Sequence, residues 1–209
     1  MKSLIGKKLG MTQIFNEEGQ LVPVTVIEAG PCNVVQRKTA ESDGYDAVQL
    51  GFGSQKPQRV CKPLLGHFKK AGLEPMLALS EVRVSADDES KAGDTVTVSV
   101  FEDVKFVDVE GVTKGKGYQG VQKRHGFGGG RATHGSHFHR TTGSIGMKER
   151  PGRVFKNKKM PGQMGHTSIT VQNLKVVQIR AEENLILLKG AVPGANGTTL
   201  VLREALKRK

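Results

Sequence analysis

One internal segment of this chain, residues 112–166, carries nearly all of the net positive charge. Its 55 residues include twelve Lys and Arg against a single acid, Glu149, which gives a formal charge of +11. The whole chain of 209 residues carries +12, so the remaining residues, with 20 bases and 19 acids, carry only +1. The chain is therefore a nearly neutral body with a strongly cationic insert in its middle.

The insert is too poor in apolar side chains to order itself by burial. It contains 13 glycines but only eleven aliphatic, aromatic and methionine side chains among its 55 residues. Fixing one backbone residue costs about 1–2 kcal/mol, and glycine loses more conformational freedom than any other residue. We therefore predict that the insert is either flexible or ordered by something outside the chain.

The insert has the composition of a nucleic-acid-binding segment. Closely spaced cations repel one another unless a polyanion neutralises them, and the phosphodiester backbone is a dense polyanion. Glycine lets the main chain approach phosphate closely, while aromatic, histidine and arginine side chains can stack on unpaired bases. The alternative is a solvated, disordered basic tail, but this insert is internal, varied in sequence and flanked by strand-like segments. We interpret it as a nucleic-acid-binding arm.

Composition outside the insert favours an intracellular protein that does not enter a membrane. Cys32 and Cys61 are the only cysteines and form no disulfide framework, which favours a reducing cytosol. The apolar pair Leu4-Ile5 is followed at once by a glycine and two lysines, so no signal peptide is expected. No apolar run approaches the length needed to cross a bilayer. We expect a cytoplasmic protein.

Short β-type segments dominate the rest of the chain and predict an all-β domain. The predicted strands are Leu21–Glu28, Asn33–Lys38, Tyr45–Phe52, Thr95–Phe101, Val104–Val109, Ser168–Arg180, Asn184–Lys189 and Thr199–Arg203. Pro23 marks the first of them as an edge or bulged strand. One helix is expected near Pro63–Ala71 and a second near Pro75–Leu79. Short strands separated by regular turns are typical of a closed β-barrel or a sandwich.

The insert interrupts this β domain, because three predicted strands follow it. Residues 1–111 would form the first part of the β-barrel domain, 112–166 the basic extension, and 167–209 the barrel-completing strands and a basic C-terminus. If the later strands complete the same barrel, both ends of the insert leave from nearby points. The insert would then be a long, largely irregular looped extension.

Three patterns in or near the insert resemble enzyme or metal sites, and each fails on its context. Gly115–Gly120 fits G-x-G-x-x-G, but no helix and no acid follow where a dinucleotide site needs them. Gly111–Gly117 lacks the spacing and the Ser or Thr of a phosphate-binding loop. His134, His137 and His139 share the insert with no cysteine and one carboxylate, and the surrounding charge would repel a cation. We therefore expect no catalytic residues, no metal and no cofactor.

Several motifs make the chain similar to one family over essentially its whole length. They are Gly6–Thr12 (GKKLGMT), Gly66-His67-Phe68, Lys114–Gly120 (KGKGYQG), Thr133-His134-Gly135, Gly143–Gly146 (GSIG), Pro151–Lys156 (PGRVFK), Lys158-Lys159-Met160 and Leu188–Gly194 (LKGAVPG). In this combination they resemble the bacterial large-subunit ribosomal protein three family.

The resemblance implies a fold, a function and a set of neighbours. The fold would be a six-stranded β-barrel of the kind found in translation factors, with the extension entering the ribosomal RNA core. The protein would be a non-enzymatic structural constituent of the ribosome that binds 23S rRNA near its 3′ end and helps to initiate assembly of the large (50S) subunit. The tip of the extension would approach the peptidyl transferase centre. The barrel would lie beside large-subunit ribosomal proteins fourteen and nineteen.

Candidate site residues follow from the charge pattern and from the matched motifs. The residues expected to bind rRNA are Lys114, Lys116, Lys123, Arg124, His125, Arg131, His134, His137, His139, Arg140, Lys148, Arg150, Arg153, Lys156, Lys158 and Lys159. The resemblance places a second group near the peptidyl transferase centre: Gly143, Ser144, Ile145, Gly146, Met147, Lys148, Glu149, Arg150, Pro151, Gly152 and Arg153.

The chain departs from the family pattern in two places. Many relatives have Trp-Asn after the Lys-Arg pair, where this chain has His125-Gly126, so indole stacking at that position is lost or replaced. Some relatives carry a methylated glutamine shortly after the Gly-Ser-Ile-Gly motif. Met147–Arg150 contains no glutamine, so we predict that this modification is absent.

Two other functions are open from the residues alone. One is an RNA-modifying enzyme whose basic arm presents substrate to a pocket, which would need a cofactor site and an acid–base pair. The other is a DNA-architectural protein, which would prefer duplex DNA to structured rRNA. We favour rRNA binding, and we expect no DNA, no membrane and no second copy of this chain as a partner.

Overall fold

The computed structural model describes residues 2–85, 88 and 90–208 and divides the chain into two compact units. The first unit combines Met1–Val112 with Ser168–Lys209, and the second is Thr113–Thr167. Each limit of the second unit lies one residue after the corresponding limit of the predicted insert, so all charged residues of the insert fall within it. None of the helices in the described residues is long and apolar enough to cross a membrane.

Strands make up most of the regular structure. They are β1 (Ser3–Phe15), β2 (Leu21–Ala29), β3 (Cys32–Lys38), β4 (Ala47–Ser54), β5 (Met76–Arg83), β6 (Thr95–Val96), β7 (Phe106–Val112), β8 (Gly117–Gln119), β9 (Gly162–Met164), β10 (Ser168–Arg180), β11 (Leu185–Lys189) and β12 (Thr199–Glu204). The α-helices are short: α1 (Ala40–Asp43), α2 (Lys62–Lys70) and α3 (Val121–His125). Single 3-10 turns lie at Pro57–Arg59 and Val98–Phe101. The all-β fold class is confirmed.

Six antiparallel strands close into a barrel in the order β1-β12-β7-β10-β11-β2. β1 pairs with β12 along one edge, where Ser3 lies opposite Arg203, and with β2 along the other, where Phe15 lies opposite Leu21. The strands that follow the second unit in sequence, β10, β11 and β12, therefore complete a barrel begun by β1, β2 and β7. The six-stranded barrel implied by the family resemblance is confirmed.

The core of the first unit extends from the barrel interior to a second, four-stranded sheet with the order β5-β4-β3-β6. Alternate residues of β12 are buried, as shown by Leu200 and Leu202, while three consecutive residues of β11, Ile186 to Leu188, are buried. Leu50 of β4 and Phe101 of the second 3-10 turn join the same cluster. Burying a side chain of this size contributes about 1.5–3 kcal/mol. The first unit therefore has its own source of stability.

β1 is not indicated by the sequence pattern, because Gly6 and two lysines interrupt its apolar alternation. Both interruptions have a structural reason. A Cβ atom on Gly6 would lie 2.6 Å from the carbonyl oxygen of Glu28 on β2, so only glycine permits this strand spacing. Lys8 is 6 % exposed, and its Nζ donates to the carbonyl oxygens of Val192 and Gly194, each at 3.1 Å. The lysine thus holds the loop between β11 and β12 onto the barrel.

The strand predicted at Thr95–Phe101 is wrong over most of its length. Only its first two residues pair, as β6, and the chain then forms the 3-10 turn Val98–Phe101. Val98 and Phe101 are both fully buried, which fits the three-residue period of a 3-10 helix. The closely spaced apolar residues of this segment fit a β-strand as well as a 3-10 helix, so the sequence pattern does not distinguish the two.

Prolines led to one correct and two wrong predictions. The helix near Pro63–Ala71 is confirmed as α2, whose first turn contains the proline. The helix near Pro75–Leu79 is wrong, because this stretch enters β5 and pairs with β4. Pro23 lies neither in an edge strand nor at a bulge, since β2 has β1 on one side and β11 on the other. The pairing of β2 with β11 stops at Val24, so no residue of β11 lies opposite Pro23. The missing N–H of Pro23 therefore leaves no hydrogen bond of that pairing unmade.

The buried lysine of β1 should be necessary for the stability of the barrel. We expect Lys8→Met to lower the free energy of unfolding by about 2–3 kcal/mol, because two buried carbonyl groups lose a charged donor while the aliphatic volume is kept. The control is Lys7→Met at the neighbouring exposed position, which should change stability little. Denaturant unfolding of the two variants measures the difference, and equal effects would contradict the role given to Lys8.

The two cysteines should differ sharply in reactivity. Burial raises the pKa of the Cys32 thiol to about 11, and its Sγ donates to the carbonyl oxygen of Ile5 at 3.3 Å. Cys61 is exposed. Because the thiolate is the reactive form, an alkylating reagent at pH 8 should modify Cys61 alone, and Cys32 only after unfolding. Mass spectrometry of the labelled protein checks this, and rapid labelling of Cys32 in the native protein would contradict the burial of its thiol.

Candidate nucleic-acid interface

The second unit begins and ends at a hydrogen-bonded pair of threonines. The backbone N–H of Thr113 donates to the carbonyl oxygen of Thr167 at 3.0 Å, and the N–H of Thr167 donates to the hydroxyl of Thr113 at 3.2 Å. In the first unit, the preceding Val112 of β7 and the following Ser168 of β10 are register partners. The chain therefore leaves β7 and returns to β10 at neighbouring points.

A two-stranded sheet and one short helix lie in the unit next to the threonine pair. β8 and β9 pair over their full length of three residues each. α3 follows Gly120 directly, so the prediction that no helix follows Gly115–Gly120 is wrong, although five residues are far shorter than the helix of a dinucleotide site. The helix is capped by Gly126, whose φ of 73° is the left-handed conformation that glycine adopts without strain. Its last turn carries Lys123, Arg124 and His125. A helix of this length is not stable in isolation, so it depends on the contacts of its side chains.

Two side chains of α3 contact the returning chain just before β9. The Nη1 of Arg124 donates to the carbonyl oxygen of Met160 at 2.7 Å, and the Nε2 of His125 lies 3.1 Å from the same oxygen. The histidine forms a hydrogen bond there when its proton is on Nε2. Both side chains are half-buried. Arg124 and His125, predicted as RNA-binding residues, therefore also hold the unit together.

Gln122 has a similar bracing role that the sequence did not indicate. Its Nε2 donates to the carbonyl oxygen of His139 at 3.1 Å, and the backbone N–H of Gly130 donates to the same oxygen at 3.2 Å. A neutral glutamine beside strong cations gives no distinctive signal. Its role depends on where the chain returns, which no local pattern specifies.

Some glycines of this unit are required by close contacts inside the protein. A Cβ atom on Gly130 would overlap the carbonyl oxygen of Phe138, and one on Gly165 would overlap the carbonyl oxygen of Lys114. The sequence suggested that glycine in the insert serves close approach to phosphate. At these two positions the close approach is between protein groups.

The distal loop of the unit, residues 131–159, contains neither helix nor strand. Its backbone is shaped by local turns, such as the bond from the Ser144 hydroxyl to the carbonyl oxygen of Gly146 at 2.9 Å. Throughout Thr113–Thr167, a range that the structure describes completely, Val121 is the only buried residue. The unit thus lacks an apolar core of its own.

The predicted RNA-binding side chains are mostly exposed. Fourteen of the sixteen lie in the exposed class: Lys114, Lys116, Lys123, Arg131, His134, His137, His139, Arg140, Lys148, Arg150, Arg153, Lys156, Lys158 and Lys159. Within the described residues, none of the twelve Lys and Arg of this unit forms an ion pair with a carboxylate. The charge of +11 is therefore presented to solvent without internal compensation.

The segment Gly143–Arg153, expected near the peptidyl transferase centre, lies within the distal loop and is exposed throughout. Large apolar side chains in and beside it are also exposed: Ile145 by 45 %, Met147 by 69 % and Phe155 by 52 %.

Exposed aromatic rings accompany the cations of the unit. Tyr118 on β8 is 73 % exposed, and Phe138 in the distal loop is 39 % exposed. Rings with a free face can stack on unpaired bases, which is a common mode of RNA recognition. These positions are candidate stacking residues beside the predicted cations.

The histidines of the insert do not assemble into a metal centre. In the part of the chain that the structure describes, no group of three or more His, Cys, Asp and Glu side chains is placed to hold a metal ion. His134 adopts a positive φ of 62° in a turn, and His166 adopts one of 54° close to the threonine pair. Their side chains are exposed and available to an external partner.

Comparison with known proteins identifies close relatives of the chain. The family model described as Ribosomal protein L3 matches residues 80–184. A protein of Corynebacterium jeikeium named Large ribosomal subunit protein uL3 is 56 % identical over 208 residues, covering 99 % of this chain and 95 % of that protein. Proteins with the same name from Geobacter sulfurreducens and Carboxydothermus hydrogenoformans are 52 % and 51 % identical, covering 99 % and 100 % of this chain and 98 % and 99 % of theirs.

Removing the bracing arginine should loosen the proximal part of the unit. We expect Arg124→Ala to speed hydrogen exchange of the backbone amides in β8 and β9 about tenfold, because the carbonyl of Met160 loses a charged donor. Lys123→Ala removes the same charge from an exposed neighbour and should leave exchange nearly unchanged. Exchange measured by mass spectrometry on the free protein compares them, and equal rates in the two variants would contradict the brace.

Proposed function

The chain belongs to the ribosomal protein L3 family, and we propose that it binds 23S rRNA as a structural constituent of the large ribosomal subunit. Membership of this family makes it a ribosomal protein of the cytoplasmic ribosome rather than an enzyme. The observation that carries the proposal is the uncompensated charge of Thr113–Thr167, where twelve cations lack carboxylate partners in the described structure.

Binding is driven chiefly by phosphate neutralisation. Cations held close together repel one another, and RNA phosphates remove that repulsion while releasing condensed counterions. Exposed lysines and arginines occur along the whole unit, from Lys114 near its start to Lys159 near its end. An extended track of RNA backbone could therefore be contacted by one continuous loop of protein.

The distal loop would gain its fixed shape from the RNA. Its exposed residues Ile145, Met147 and Phe155 would be covered on binding, and its cations would be neutralised. Both changes supply the free energy that the unit lacks by itself. We place Gly143–Arg153 at the tip of the arm near the peptidyl transferase centre, in keeping with its exposed, turn-rich backbone.

The barrel would serve a different set of contacts at the subunit surface. We propose that the protein binds near the 3′ end of 23S rRNA, helps to initiate assembly and lies beside large-subunit proteins fourteen and nineteen. The hairpin of β1 and β2 offers an apolar surface for a protein neighbour, since Met11 is 52 %, Phe15 74 % and Leu21 51 % exposed. Exposed apolar side chains grouped in this way are typical of interaction sites.

Competition separates rRNA binding from a DNA-architectural role. Structured large-subunit rRNA should displace the protein from duplex DNA at equal nucleotide concentration, because exposed rings and a turn-rich loop suit unpaired bases and folded RNA. A filter-binding or fluorescence competition experiment compares them directly. Preference for duplex DNA would contradict the proposal.

Two adjacent lysines of the distal loop should act through charge. We expect Lys158→Ala combined with Lys159→Ala to weaken binding to rRNA fragments about tenfold across different sequences, because each lysine neutralises backbone phosphate. The dependence of log K on log salt should flatten by about 1.5, since each lost phosphate contact removes about 0.7–0.9 from the slope.

The matched control is Lys105→Ala combined with Lys175→Ala, which removes the same charge from exposed positions of the barrel unit. Its affinity and salt slope should stay near those of the native protein. Binding titrations at several salt concentrations decide the question. If the distal pair and the barrel pair had equal effects, general charge rather than the extension would account for binding.

A further inference from the structure

A glycine in the middle of α2 has no structural reason within the protein. Gly66 lies at the fifth of nine positions in the helix Lys62–Lys70. A Cβ atom added there would meet no atom within 4 Å, and the residue does not have the positive φ that favours glycine. Glycine is a poor helix former, second only to proline. The free chain would therefore be more stable with alanine at this position.

Three of the four neighbours of Gly66 on the helix surface are lysines. In an α-helix the residues three and four before and after a position surround it on the same face. Here these are Lys62, Lys69 and Lys70 together with Pro63, and all four are exposed. The opposite face is anchored by Phe68, which is 1 % exposed. The glycine is thus a bare position flanked by three lysines on a helix that is fixed to the core.

Lys62, like Gly66, is unfavourable for the stability of α2. Lys69 and Lys70 lie in the last turn, where the helix dipole favours cations. Lys62 is the first residue of the helix, where the dipole favours anions, and the first turn contains no acidic residue. Both Lys62 and Gly66 weaken α2, so helix stability does not explain either residue.

Acidic residues are absent around this helix in sequence. Residues 47–73 contain no Asp or Glu, and they add Lys56 and Arg59 to the three lysines of α2. Both added side chains are exposed, at the 3-10 turn just before the helix. In the described part of the chain, none of these five cations forms an ion pair with a carboxylate. The barrel unit, although nearly neutral, thus has five exposed cations close together in sequence, while Asp43 lines the same cavity as Lys70.

We propose that the face of α2 formed by Lys62, Gly66, Lys69 and Lys70 is a second docking surface for RNA backbone, separate from the extension. The inference rests on the proposed function, since it takes the same RNA as partner. Phosphodiester backbone is the partner that fits, because its closely spaced charges match the three lysines and its bulk needs the space that a side chain at position 66 would fill. Without a Cβ atom, phosphate can approach the helix backbone itself.

Substitutions at this face should move stability and affinity in opposite directions. We expect Gly66→Ala to raise the Tm of the free protein by about 2–4 °C, as an exposed helical glycine is replaced. The same variant should bind large-subunit rRNA several-fold more weakly. Lys62→Gln should likewise leave the free protein at least as stable while weakening RNA binding. A residue with only a structural role would not separate the two quantities in this way.

Lysine footprinting of the native protein locates the contact directly. Acetylation of Lys62, Lys69 and Lys70, measured by mass spectrometry with and without large-subunit rRNA, should fall several-fold in the complex. Lys105 and Lys175 of the same unit serve as exposed internal references and should change little.

The outcomes distinguish this inference from the proposed function. If Lys158 and Lys159 are protected by rRNA while the α2 lysines are not, the second surface is refuted and the extension keeps its role. If none of the arm or α2 lysines is protected, both proposals fail. Protection of α2 only after another large-subunit protein is added would assign the face to a protein partner and overturn the RNA surface. Native affinity of Gly66→Ala for rRNA would also overturn it.

Discussion

Twelve cations share the Thr113–Thr167 unit with one carboxylate, and in the described structure none of them is paired with an acid. Only Val121 is buried there, so apolar packing cannot offset the repulsion. The contacts that do exist are polar ones, such as Arg124 on the carbonyl of Met160 and Gln122 on the carbonyl of His139. In the proposed function, the distal loop gains its fixed shape from the RNA phosphates that neutralise its cations.

The barrel has its own buried core, so its stability does not depend on external anions. Its core includes residues on both sides of the insertion in sequence, from Leu4 on β1 to Leu202 on β12. Strands β7 and β10 are register partners at the insertion point, so the long loop is closed by sheet pairing. The entropic cost of closing a loop grows only slowly with its length, and the burial of apolar side chains in the core offsets that cost. The nearly neutral barrel can therefore fold before the extension binds RNA.

Sequence patterns predicted the parts of this protein that depend on local order. Alternation located β10 at Ser168–Arg180, and charge located the cationic unit. These patterns failed where contacts between residues far apart in the sequence determine the structure. β1 was missed because Gly6 and Lys8 are explained only by Glu28 and by the loop that follows β11. The brace between α3 and Met160 was missed for the same reason, since residues far apart in the chain meet there.

Glycine shows most clearly how the two kinds of constraint differ. Gly165 faces the backbone of Lys114 inside the protein, so its lack of a side chain is explained by the fold. Gly66 faces open space, so its explanation lies outside the chain. α2 is held by the buried Phe68, whereas the distal loop has no buried residue to hold it. Phosphates docked on such a prefolded helix would raise the effective concentration of RNA around the tethered extension, so the costly ordering step becomes an intramolecular one.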